Sequence, residues 1–81
     1  MLTQTSTGSN VQVLVFKTDL STRKKVRQLA LHLDQESGIL RWNVDHWDAD
    51  NVLRIETTRL SMQQVIDLVT GAGYHCTALP D

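Results

Sequence analysis

Two runs with apolar residues at helical spacing are each enclosed by runs patterned for β-strands, and this interleaving constrains the chain more than any other feature. Val26, Leu29, Ala30 and Leu33 recur on one helical face and predict a helix over residues 22–33. Asp19 or Ser21 is expected to cap it, since their side-chain oxygens accept hydrogen bonds from the free amides of a first turn. Met62, Val65, Ile66 and Val69 form a second stripe, over residues 62–70. Ser61 followed by Gln64 fits a capping box at its start, and Gly71 and Gly73 end it. Residues 11–17 alternate Val11, Val13 and Val15 and predict a first strand. After the break at Gly38, residues 39–45 and 52–57 read as two strands joined by an Asp- and Asn-rich hairpin turn. Residues 74–79 supply a short last strand before Pro80.

The resulting order is strand, helix, strand, strand, helix, strand. Each crossover must be right-handed, and each helix has one apolar stripe to bury. The expected fold is therefore α+β, a ferredoxin-like βαββαβ sandwich with two helices on one face of a four-stranded antiparallel sheet. Trp42 and Val44 share one phase of the second strand, and Leu53 and Ile55 one phase of the third, so these four should face the helices. The other sheet face stays open.

A chain of 81 residues closes one core and buries roughly 60% of its unfolded surface. Residues 1–10 are rich in Thr, Ser and Gln, without the basic segment and apolar run of a signal peptide, and read as a flexible leader to a domain over residues 11–81. No membrane insertion is expected. The net charge of −1 gives no field that argues for nucleic acid. A lone cysteine, Cys76, forms no internal disulfide, which suits a reducing cytoplasm.

The residues with chemistry to offer are few. His75 and Cys76 are adjacent, so within a strand they point to opposite faces and do not readily clasp one ion. Cys76 reads as a small core residue and His32 as a surface or boundary one. The run from Asp45 to Asn51 holds several oxygen donors and His46 but lacks the Gly and distal Glu of an EF-hand loop, and turn chemistry explains it. Trp47, within that run, either folds back on the domain or offers an anchor to a partner. Arg23, Lys24, Lys25 and Arg27 crowd positive charge into the first turns of the first helix, against its dipole. A solvated face and a docking site for an acidic protein surface or phosphate are both open readings. No stacking aromatics interleave with these charges as a nucleic-acid platform requires.

Thr18, Val26, the Gly38-Ile39 pair, Trp42, Val44, Asp45 and Ala72-Gly73-Tyr74 fall where the heavy-metal-associated domain of copper chaperones places its recurrent residues. Over residues 11–79 the chain resembles that family. In the family, the loop after the first strand reads Met-Thr-Cys-x-x-Cys, and two thiolates from it hold a soft ion such as Cu(I) or Zn. The equivalent run here is Lys17-Thr18-Asp19-Leu20-Ser21-Thr22, with Asp19 and Thr22 at the cysteine positions. Thr22 is expected as an ordinary residue of the first helical turn. Tyr74 matches an aromatic that sits beside the metal loop in bacterial relatives.

There is no nucleophile elbow, phosphate-cradling Gly-rich loop, His-Glu zinc motif or spaced carboxylate pair, so the chain reads as a non-enzyme. The expected function is a non-catalytic interaction or regulatory module that keeps the heavy-metal-associated framework without its soft-metal site and binds no cofactor. Its partner is a protein or a second copy of the chain, met through Trp47 and the cluster Arg23, Lys24, Lys25 and Arg27. The rival expectation is a metal-handling protein for copper or zinc with non-standard ligands, Asp19, Tyr74, His75 and Cys76. A small-molecule sensor that works through dimerisation rests on fold analogy alone.

Overall fold

The second and third strands span the residues expected of them. In the computed structural model, which describes residues 11–47 and 49–79, they are β2 (Ile39–Asp45) and β3 (Val52–Thr57). The remaining elements are β1 (Gln12–Thr18), α1 (Arg23–Gln35), α2 (Met62–Gly71) and β4 (Cys76–Ala78). All strand pairings are antiparallel, in the order β2-β3-β1-β4. The α+β ferredoxin-like sandwich is thus the fold of the chain. The expected leader, residues 1–10, and Asp48, Pro80 and Asp81 lie outside the described residues.

Strand β1 occupies an interior position of the sheet, and its apolar residues fall on both faces. Leu14, Phe16 and Thr18 turn toward the helices and are buried, whereas Val11 and Val13, whose alternation marks the strand, are 38% and 56% exposed on the open face. The phase that buries Leu and Phe removes more apolar surface from water than the phase that would bury Val. Leu14 and Phe16 pack with Leu53 and Ile55 of β3, Leu29 and Leu33 of α1, Val65 and Val69 of α2, Leu20 and Cys76. Trp42 and Val44 lie against this core from the edge strand β2, opposite Ile55 and Leu53. A bulge between Ile39 and Arg41 leaves Leu40 58% exposed.

The two strand-to-helix corners are built alike. Thr57, at the end of β3, is buried, donates its hydroxyl to the Gly38 carbonyl and accepts from the amides of Arg59 and Leu60. Four residues later Ser61 caps α2 with the complete capping box to Gln64. Thr18, at the end of β1, is also buried, donates to the Asn51 carbonyl and accepts from the Leu20 amide. Four residues later Thr22 caps α1, accepting from the Lys25 amide at 3.1 Å. The N-cap is therefore Thr22 and neither Asp19 nor Ser21, and Thr22 stands just outside the helix rather than in its first turn. The reason is the corner itself, which draws Leu20 into the core and places Thr22 at the first free amides.

Helix α2 ends as its glycines predict. The Tyr74 amide returns to the Val69 carbonyl and the Gly73 amide to Thr70, with Gly73 at φ 100°, which only glycine adopts without strain. This return holds Tyr74 and His75 out of the ladder. Strand β4 consequently begins at Cys76 rather than at residue 74, pairing Cys76 with Thr18 and Ala78 with Phe16.

Candidate functional site

The loop between β1 and α1 is held by hydrogen bonds, some within the loop and others to residues remote in sequence. Thr18 donates to Asn51 at 2.6 Å and accepts from Leu20 at 3.1 Å, and its own amide donates to the Asp50 carbonyl at 3.0 Å. Leu20 has no exposed surface, so the middle of the loop is part of the core. One carboxylate oxygen of Asp19 accepts from the His75 backbone amide at 3.1 Å, which ties the loop to the start of β4. The Asp19 carbonyl accepts from the Ser21 amide at 2.8 Å and from Lys25 Nζ at 3.4 Å. The oxygen of Thr22 is engaged as the helix cap.

Asp19, His75 and Cys76 come together with Lys17, Thr18 and Thr77 around an open hollow of about 350 Å³. Tyr74 does not line it. Its hydroxyl donates to Gln28 Oε1 on α1 at 2.9 Å. His75 is exposed, and Cys76 is buried, where loss of solvation pushes its thiol up to about 11. Among the described residues, no three His, Cys, Asp or Glu side chains form a set able to hold an ion. His32 is exposed on α1 and borders a separate hollow with Gln35, Glu36 and Leu68.

The basic residues divide. Arg23 and Arg27, with Val26 between them on α1 and His46 from the β2–β3 hairpin, line a hollow of about 380 Å³. Lys24 is exposed and lies outside it, and Lys25 turns to Asp19. Trp47, next to His46, is 99% exposed, so of its two expected roles the one that folds it back on the domain is removed. Its amide donates to Asp45 Oδ1 in a short turn. His46 lies 2.9 Å through Nε2 from the Leu20 carbonyl and braces the hairpin against the loop. The sequence offered His46 only as one donor in an acidic turn, and no local spacing connects it to residue 20.

No family model matches the chain, and no curated protein matches it. Solved structures match its fold. The apo form of the heavy-metal-associated domain of a copper chaperone for superoxide dismutase superposes with a TM-score of 0.73 at 21% identity, covering 86% of this chain and 68% of that one. A structure concerned with crosstalk between Cu(I) and Zn(II) homeostasis gives 0.71 at 17% identity, over 84% and 99% of the two chains. Oxidized MerP from Ralstonia metallidurans CH34 gives 0.69 at 11% identity, over 84% and 96%. The fold is that of heavy-metal-associated domains. Among the described residues, no helix is long and apolar enough to cross a membrane.

Proposed function

We propose that the chain is a non-catalytic interaction or regulatory domain built on the heavy-metal-associated fold, in which the loop after β1 serves as a structural corner. The carrying observation is the state of the two positions where the family places its thiolates. An Asp19 oxygen is held by the His75 amide and the Thr22 oxygen by the Lys25 amide. Both positions offer hard oxygen donors, where a soft ion such as Cu(I) requires a pair of thiolates. The one thiol nearby, Cys76, is buried and hard to ionise, and the Lys25 ammonium approaches the loop backbone at Asp19. This donor set does not fit Cu(I) or a tight zinc site. On this reading the domain works in a reducing cytoplasm, takes no cofactor, and meets a protein partner or a second copy of itself.

The rival is a metal-handling protein that uses Asp19, His75 and Cys76, which share one hollow, with Tyr74 alongside. A titration of the reduced protein with Cu(I) and with Zn(II), in competition with a chelator and followed by amide NMR, separates the two. The proposal expects no saturable binding. Tight one-to-one binding with shifts at Asp19, Tyr74 and Cys76 overturns it and installs the rival.

A further inference from the structure

The hollow between α1 and the β2–β3 hairpin has a cationic lining that the fold itself does not use. Arg23 and Arg27 stand four residues apart on one helical face, where like charges oppose each other. Both lie in the first turns of a helix whose dipole already disfavours cations there, and no acidic residue stands in that first turn. Elsewhere among the described residues Lys17 pairs with Asp50 and Arg54 with Asp45, whereas Arg41 and Arg59 have no carboxylate partner, so what sets Arg23 and Arg27 apart is that they line one hollow. Among the described residues, Arg23, Lys24 and Arg27 have no carboxylate within ion-pair distance. The third wall is His46, whose Nε2–H donates to the Leu20 carbonyl and so fixes the ring at the mouth. Beside it Trp47 presents nearly its whole indole to solvent.

We infer that this hollow is the docking site for an acidic segment of a partner protein, with carboxylates against Arg23 and Arg27 and an apolar side chain against Val26 and Trp47. Charge complementarity requires an anionic occupant. Trp47 does not line the hollow but follows His46 directly in the chain, and its exposed indole argues for a peptide, because a free inorganic anion would leave that apolar surface uncovered. Nucleic acid fits less well: the chain as a whole is anionic, and the cations form a compact cluster rather than a stripe along a strand-binding groove. The inference rests on the reading of the chain as an interaction domain and names the class of partner that this one surface takes.

The test is an amide NMR titration of the full chain with a synthetic twelve-residue peptide of Asp and Glu containing two central Leu residues. A peptide with Lys in place of the acids, an oligothymidylate of equal charge and inorganic phosphate serve as separate probes. Saturable shifts confined to Arg23, Val26, Arg27, His46 and the Trp47 indole are expected with the acidic peptide, at concentrations below about 1 mM. Reversal of both arginines, Arg23→Glu with Arg27→Glu, should weaken binding by at least about tenfold, and Trp47→Ala by a similar factor. Circular dichroism of each variant checks that the fold is retained, and Arg23→Gln with Arg27→Gln serves in place of the reversal if that variant unfolds. No saturable shift, a response equal to that of the basic peptide, or stronger binding of the oligothymidylate or phosphate overturns the inference. Those failures leave the metal titration untouched, so the site can be refuted while the reading of the loop stands.

Discussion

Replacing Thr18 by Val tests whether the loop after β1 is held by its corner. Thr18 is 7% exposed, and valine preserves its shape while deleting the hydroxyl that donates to Asn51 and accepts from Leu20. Each such bond contributes about 1 kcal/mol net. The two partners then fare differently. Asn51 lies in a half-buried turn where water can replace the lost donor, but Leu20 has no exposed surface, and an unpaired buried amide costs about 1–3 kcal/mol. The extra methyl recovers less than about 1 kcal/mol. The expected loss is about 2 kcal/mol, out of a total of only about 5–10 kcal/mol for a domain this small. In a chain of this length that lowers the melting temperature by roughly 8–16 °C. Urea unfolding followed by circular dichroism measures it, and native-state hydrogen exchange should show the Leu20 amide losing protection. Thr18→Ser keeps the hydroxyl, gives up one methyl, and should cost about half as much. A Thr18→Val protein within about 0.5 kcal/mol of the parent, or more stable than Thr18→Ser, refutes the role given to the hydroxyl.

Thr22→Ala removes the side-chain oxygen that caps α1 and should destabilise the domain by about 1 kcal/mol in the same urea assay, whereas Ser21→Ala should change little. Equal effects would mean that the cap is shared. Cys76 gives a pH dependence of known sign: its thiol is raised to about 11 in the folded chain from an ordinary 9.0, so the folded form binds more protons between those values. Its contribution is complete below pH 9 and lost as pH rises through 11, by about 2–3 kcal/mol, and Cys76→Ala should flatten that part of the stability profile. Reaction of the native thiol with a disulfide reagent at pH 8 should be far slower than that of the urea-unfolded chain. Native reactivity equal to the unfolded rate would place the thiol at the surface.

What was legible in the sequence is what local chemistry decides. Strands β2 and β3 match their expected bounds because turn residues delimit them, and α2 follows from a capping box and two glycines that need no distant partner. The site was less legible because remote contacts assign its oxygens. Asp19, Ser21 and Thr22 can all cap a helix, and the choice among them is made partly by the amide of His75, 56 positions away, which takes the Asp19 carboxylate. His46 acquires its role from the Leu20 carbonyl, 26 positions away, and no periodicity points there. The likeness of the two strand-to-helix corners supplies a comparison that neither offers alone. At the second corner, Thr57 satisfies a carbonyl and two amides and Ser61 caps the helix, with ordinary hydrogen bonding sufficient for both. At the first corner, Thr18 and Thr22 stand at the same spacing, Thr18 satisfying one carbonyl and one amide and Thr22 capping the helix. A hydrogen-bonded turn therefore accounts for this loop without a ligand. The surface still lacking such an account is the cationic hollow one turn further along α1, where Arg23 and Arg27 oppose both the helix dipole and each other.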